Sequence, residues 1–166
     1  NDDSSQKLPL TVGYFKDLCS RFMSEKSAKL AEKLTLEPPV EPVSTGSVFL
    51  DEWYEKERCL RLALAQIRAL KMKKDIKDLP SASDGESIQA ARTATGMDSP
   101  LAAEQYLNQY RLGILDRISP LDNFSVDAVY SYGLKLMLAE RMKKFNKDEG
   151  LASYHKIYDE ILGEKK

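Results

Sequence analysis

The 166-residue chain has 42% hydrophobic residues, and its 25 Lys and Arg nearly balance 26 Asp and Glu, for a net charge of -1. Such a length buries one sizeable core or two small helical lobes, and the balanced charge supplies no global field toward nucleic acid or an anionic membrane. No apolar run reaches the roughly 18 to 20 residues that span a bilayer, and the polar start resembles no secretory signal, although the absence of an initial Met allows for an upstream segment.

Residues 11–22 and 24–34 read as two short helices, the second with Ala28, Leu30, Ala31 and Leu34 at helical spacing; Gly13 weakens the first. The run Glu37-Pro38-Pro39-Val40-Glu41-Pro42 cannot be helix, since each Pro lacks an amide donor and pushes its predecessor toward extended geometry. Residues 37–46 are therefore expected to form a connector, with residues 1–36 as an N-terminal arm or small lobe and 47–166 as the main helical domain. From Ser47 to Lys74 there is no Gly or Pro, and Phe49, Leu50, Trp53, Leu60, Leu64 and Ile67 recur along one face. This spacing predicts one long amphipathic helix, capped by Ser47, with Asp51, Glu52 and Glu55 near its positive end and bases at its far end.

Residues 78–98, with Pro80, Ser81, Ser83, Gly85 and Gly96, read as a flexible surface insertion in which only 86–95 could form a weak helix. Ser99-Pro100 then opens a helix whose face Ala103, Tyr106, Leu107, Tyr110, Gly113, Ile114 and Ile118 runs to Ser119-Pro120. Ser125 caps the next. Its residues from Val126 to Ala139 are apolar at nearly every azimuth, the mark of a buried helix, and its charged end from Glu140 to Lys147 is expected in solvent. After Gly150 a final amphipathic helix carries Leu151, Tyr154, Ile157, Tyr158, Ile161 and Leu162, closed by Gly163. No strand pattern appears, so the expected fold is all-α: an irregular helical bundle with one long amphipathic helix and a buried C-terminal helix.

Two charge features depart from this amphipathic order. Glu57 falls inside the apolar stripe of the long helix and Arg61, one turn later, lies at its edge, with the acid N-terminal as an intrahelical pair prefers. The pair reads as a structural ion pair, or as groups that bond a neighbouring helix or partner. Further along, Arg68, Lys71, Lys73, Lys74 and Lys77 against Asp75 form a basic end that is either a solvated complement to the helix dipole or a docking surface for an acidic partner. Aromatic residues are not interleaved with these bases, which argues against nucleic acid.

Catalytic chemistry is not evident. His155, the only histidine, has no nucleophile or second ligand apparent around it and reads as structural or exposed. Cys19 and Cys59 lie in helical patterns without metal-ligand spacing, which points to reduced thiols in a cytoplasmic setting. There is no phosphate-cradling Gly-rich loop. No catalytic, cofactor-binding or metal-ligating residue is assigned, no cofactor is expected, and the chain reads as non-catalytic. A helical scaffold or protein-interaction domain has the same composition; a small helical enzyme would need a concave polar pocket with perturbed titratable groups.

The stretch Phe49-Leu50-Asp51-Glu52-Trp53-Tyr54-Glu55-Lys56-Glu57-Arg58-Cys59-Leu60-Arg61 resembles a helix of a bacterial family of small helical proteins associated with V/A-type rotary ATPases. Residues 125–144, with Tyr132-Gly133-Leu134-Lys135-Leu136 and Glu140-Arg141, followed by Asp148-Glu149-Gly150 and an aromatic-rich close, are similar to that family's end. The resemblance implies the place of the C/d-type adaptor, an all-helical component that joins the central stalk to the membrane rotor ring. It implies stalk or rotor subunits as partners, no nucleotide site, no direct membrane insertion, and a cytoplasmic location peripheral to the inner membrane.

Overall fold

Helix starts in this chain are fixed by short polar side chains that replace the missing backbone acceptor of the first turn. In the structure, a computed structural model describing residues 10–74, 77 and 84–145, six helices and no strand occur among the described residues. They are α1 (Val12–Phe22), α2 (Glu25–Glu32), α3 (Val48–Lys71), α4 (Gly85–Thr95), α5 (Pro100–Ile118) and α6 (Val126–Phe145). Thr11, Ser24, Ser47, Asp84 and Ser99 each accept a backbone N–H of the helix they open, and Ser125 Oγ accepts from Ala128 N at 3.2 Å. The fold is all-α, as expected.

Two compact units divide the chain. One comprises Asn1–Thr35 with Val129–Lys166, the other Leu36–Ala128. This differs from the expected arm over 1–36 and main domain over 47–166: the N-terminal helices share a unit with most of α6, and the connector joins the unit of α3, α4 and α5. In the first unit α1 packs on α2, and Phe15 of α1 meets Tyr132 of α6 with ring centroids 5.7 Å apart. Gly133 permits this approach, because a Cβ there would stand 2.5 Å from Phe15 Cε1. Polar groups close the helix ends: Val12 N donates to Glu140 Oε1 at 2.9 Å, and Lys16 Nζ donates to the Glu32 carbonyl at 2.7 Å. Tyr130 Oη donates to Ser27 O, while Leu134, Leu136, Leu138 and Ala139 of α6 are buried.

In the second unit, Gly46 at φ 90 turns the connector into the Ser47 cap, a conformation that suits a residue without Cβ. Arg61 and Arg58 donate to the Leu36 and Pro39 carbonyls, both at 3.4 Å, fastening the connector on α3. The core joins Leu60, Ala63 and Leu64 of α3 with Ala90, Ala91 and Ala94 of α4 and Leu107 of α5. Within the expected insertion over 78–98, residues 85–95 form a helix, which agrees with the one weak helix expected there over 86–95. The small side chains of Ser87, Ala90, Ala91 and Ala94, which read as loop, are buried and let α4 lie close to α3 and α5. Residues 78–83 are outside the described residues, as are His155 and the expected final helix over 151–162.

The long helix stops three residues before its expected end. Lys74 N donates to Ala69 O at 2.9 Å and Lys73 N to Leu70 O at 3.1 Å, the crossed bonds of a Schellman ending. That motif needs a left-handed residue, and Lys73, at φ 53, supplies it in place of the usual Gly.

Candidate functional site

Glu57 projects from the middle of α3 and is only 1% exposed. A buried carboxylate is costly unless its oxygens are occupied, and here two helices occupy them. Arg111 of α5, itself 4% exposed, donates through Nε to Glu57 Oε2 at 2.9 Å and through Nη2 to Oε1 at 2.8 Å, a bidentate fork. Its Nη1 reaches Asn108 Oδ1 at 3.2 Å, three residues back on the same helix. Arg61, one turn beyond Glu57 on α3, adds Nε to Oε1 at 2.9 Å and is roughly one-third exposed.

The four side chains meet because α3 and α5 run in opposite directions: Glu57 pairs with Arg111, whereas Leu64, two turns on, lines a cleft with Leu107, one turn back. Chemically, this is a fixed joint. With guanidinium donors on both carboxylate oxygens, Glu57 is not aimed at a substrate space, and arginine does not give up its proton.

Sequence reasoning places Glu57 beside Arg61 but does not single out Arg111 or Asn108. A signal for Arg111 exists in the spacing Leu107, Arg111, Ile114, Ile118, where a charge stands in an apolar stripe just as Glu57 does on α3.

The basic-end candidates lie elsewhere in the same unit, away from this network. Arg68, Lys71, Lys73, Lys74 and Lys77 are all exposed. Lys71 Nζ donates to the Thr95 carbonyl and so closes the C-terminus of α4. Arg68 and Lys71 border a cleft of about 310 Å³ floored by Leu64, Ala94, Ala103 and Leu107, with Asp98 and Glu104 also on its wall.

A third polar cluster surrounds the start of α4. Partial burial alone would raise the Asp84 carboxyl, but donation from Ser87 Oγ at 2.8 Å and Glu86 N at 3.2 Å, with Lys56 Nζ at 3.4 Å, holds it below its ordinary value. Nearby, burial pushes the Tyr110 phenol up, opposed by Ser87, whose hydroxyl is close to it but directs its hydrogen bond to Asp84. Tyr110 Oη has no partner of good geometry. Neither the 310 Å³ cleft nor one of about 540 Å³ between α1 and α2 is lined by Asp84 or Tyr110. Cys19 and Cys59 are both buried and unpaired with each other, and burial pushes the Cys19 thiol up, away from the reactive thiolate. Among the described residues no group of His, Cys, Asp and Glu is arranged to hold a metal, and no helix is long and apolar enough to cross a membrane.

Residues 91–165 match the model of a family described as a protein of unknown function (DUF2764), a span that contains Asn108 and Arg111 but stops short of Glu57 and Arg61. No curated protein and no solved structure matches the chain.

Proposed function

We propose that this chain is a non-catalytic subunit or accessory factor of a bacterial V/A-type rotary ATPase, at the central stalk in the position of the C/d-type adaptor. The observation that carries the reading is the resemblance of residues 49–61, together with that of residues 125–150, to the helical family associated with those enzymes. Residues 49–61 lie on α3 and include Glu57, whose fork with Arg111 locks that helix to α5. A rigid helix pair supports an adaptor role, because a surface held before binding loses little entropy on docking. The partners are stalk or rotor subunits, and the location is cytoplasmic, peripheral to the inner membrane through the complex.

Within this reading the exposed end formed by Arg68, Lys71, Lys73, Lys74 and Lys77 docks on an acidic partner surface. Affinity-tagged protein expressed at native level in its own cell, extracted gently, is expected to recover ATPase subunits and to show no ATP hydrolysis alone. The triple change Lys71→Glu, Lys73→Glu and Lys74→Glu should weaken that recovery, most visibly at low salt, where charge contacts are least screened. Recovery unchanged by the triple variant removes the docking claim for this end. Recovery of no ATPase subunit by folded wild-type protein defeats the assignment, and hydrolysis by the isolated chain defeats its non-catalytic part.

A further inference from the structure

The unit of Leu36–Ala128 carries two surfaces of opposite chemistry at the two ends of α3. Residues 36–55 and 118–128 contain seven carboxylates and no Lys or Arg, and Arg58, which reaches in from α3, offsets one of them by pairing with Glu55. A hydrogen bond from Ser47 Oγ to Asp127 Oδ1 at 2.7 Å ties these stretches together. Around it Val48, Leu121 and Phe124 stand in solvent, Phe124 at 97% of its full exposure. The turn bearing the last two is well braced. Asp122 Oδ1 accepts from Phe124 N at 2.9 Å, and Asp122 O accepts from Ser125 Oγ at 2.8 Å. Two large apolar side chains are thus displayed on an ordered backbone, which lowers the entropic cost of seating them in a partner.

At the far end of α3 the charge reverses. There, among the described residues, Arg68, Lys71, Lys73, Lys74, Lys77 and Arg92 of α4 outnumber Asp98 and Glu104, and Leu70 and Met72 are exposed beside them. The Schellman bonds fix the backbone of this end, with Lys73 held in a left-handed conformation that Gly would adopt with less strain. A 24-residue helix separates the two ends by about 36 Å at 1.5 Å per residue.

Bringing two acidic ends together, or two basic ends, opposes like charges. Only contact between unlike ends places carboxylates against bases while covering Leu121 and Phe124 with Leu70 and Met72. We propose that the protein self-associates head to tail, the Leu121–Phe124 turn of one copy docking on the basic end of α3 in the next. The contact is heterologous, so it leaves one end of each kind free and propagates instead of closing into a two-fold dimer. With few side chains involved it is weak and salt-sensitive. A partner that takes the basic end, such as the one proposed above, would cap the series; the two readings are nevertheless separable, since self-association needs only this chain.

Sedimentation velocity of the full chain, from micromolar to millimolar concentration and at low and high salt, tests this. At low salt the mean mass should rise with concentration, and high salt should return it to that of the monomer. Phe124→Ser should weaken association about tenfold, the loss expected for one apolar anchor. The pairs Leu121→Ser/Phe124→Ser and Lys73→Glu/Lys74→Glu should each leave the protein monomeric, with helical content unchanged by circular dichroism. An equimolar mixture of the two should form dimers and nothing larger, because each variant keeps one good end. Wild-type protein that stays monomeric at millimolar concentration in low salt overturns the proposal. So does association insensitive to both variants, or a mixture that fails to dimerise. Co-sedimentation of a monomeric wild type with phospholipid vesicles would assign the apolar turn to a lipid surface and overturn it equally.

Discussion

Two ion pairs on α5 show how differently the same chemistry behaves in two settings. Arg111 and Glu57 are both nearly inaccessible and joined by a fork, whereas Arg117, less than two turns further along α5, reaches Glu86 at 2.7 Å with both side chains substantially exposed. Distance alone does not distinguish them. What differs is the alternative open to each group when its partner is removed: water solvates Glu86 at once, but Glu57 has no water to turn to. A buried pair is weak evidence of net stabilisation, since desolvation offsets much of the attraction, yet losing half of it is expensive.

The largest effect is expected for Arg111→Ala, which strips the fork from a buried carboxylate and opens space beside it. Chemical denaturation should show a loss of about 3 to 5 kcal/mol. A double replacement, Glu57→Leu with Arg111→Met, should recover most of that loss, because no buried charge is left facing Arg61 alone. Glu57→Gln comes next, at roughly 2 to 4 kcal/mol, since both guanidinium groups lose their counter-charge but keep a polar acceptor. A loss within about 0.5 kcal/mol would put Glu57 in the class of the surface pairs and dissolve the contrast.

Arg61→Ala sharpens the comparison from between the extremes. The side chain is partly exposed and its partner keeps the Arg111 fork, so a loss of about 1 kcal/mol is expected. Asp84 tests the same idea through pH. Its carboxyl is held below the ordinary value in the folded protein, so its contribution is present above the ordinary Asp pKa and is lost as pH falls through the lowered folded value. Asp84→Asn, which keeps an N-cap acceptor for Glu86 N but cannot ionise, should therefore flatten the acid limb of the stability profile. Smallest of all, Arg117→Ala should change stability by no more than about 0.5 kcal/mol, and less still in high salt.

Much of the fold is legible in the chain because helix boundaries are local. Ser47, Ser99-Pro100 and Ser125 mark starts that depend only on nearby donors and acceptors. The end of α3 falls three residues short of its expected place because nothing in Lys-Met-Lys-Lys announces that Lys73 will take a left-handed turn. Gly85 to Thr95 is hard to read for a related reason: small side chains are poor evidence for an isolated helix and good material for one pressed between two others. Non-local pairing is the least legible. Glu57 stands out as a charge in an apolar stripe, yet that Arg111 meets it, 54 residues away, depends on the antiparallel course of α3 and α5. The grouping of the first helices with α6 likewise joins residues more than a hundred apart, such as Ser27 and Tyr130.

Trp53 is the chain's single tryptophan, 0% exposed, on α3 one turn before Glu57. Its indole Nε1 has no hydrogen-bond partner. The protein therefore carries an intrinsic optical reporter confined to the unit of α3, α4 and α5. Emission should lie at short wavelength in the native state and move to the red when that unit opens, while far-UV ellipticity follows the helices of both units. If the two signals change together on titration with denaturant, the chain unfolds as one cooperative body; if ellipticity retains a separate step, that step belongs to the helices of the other unit.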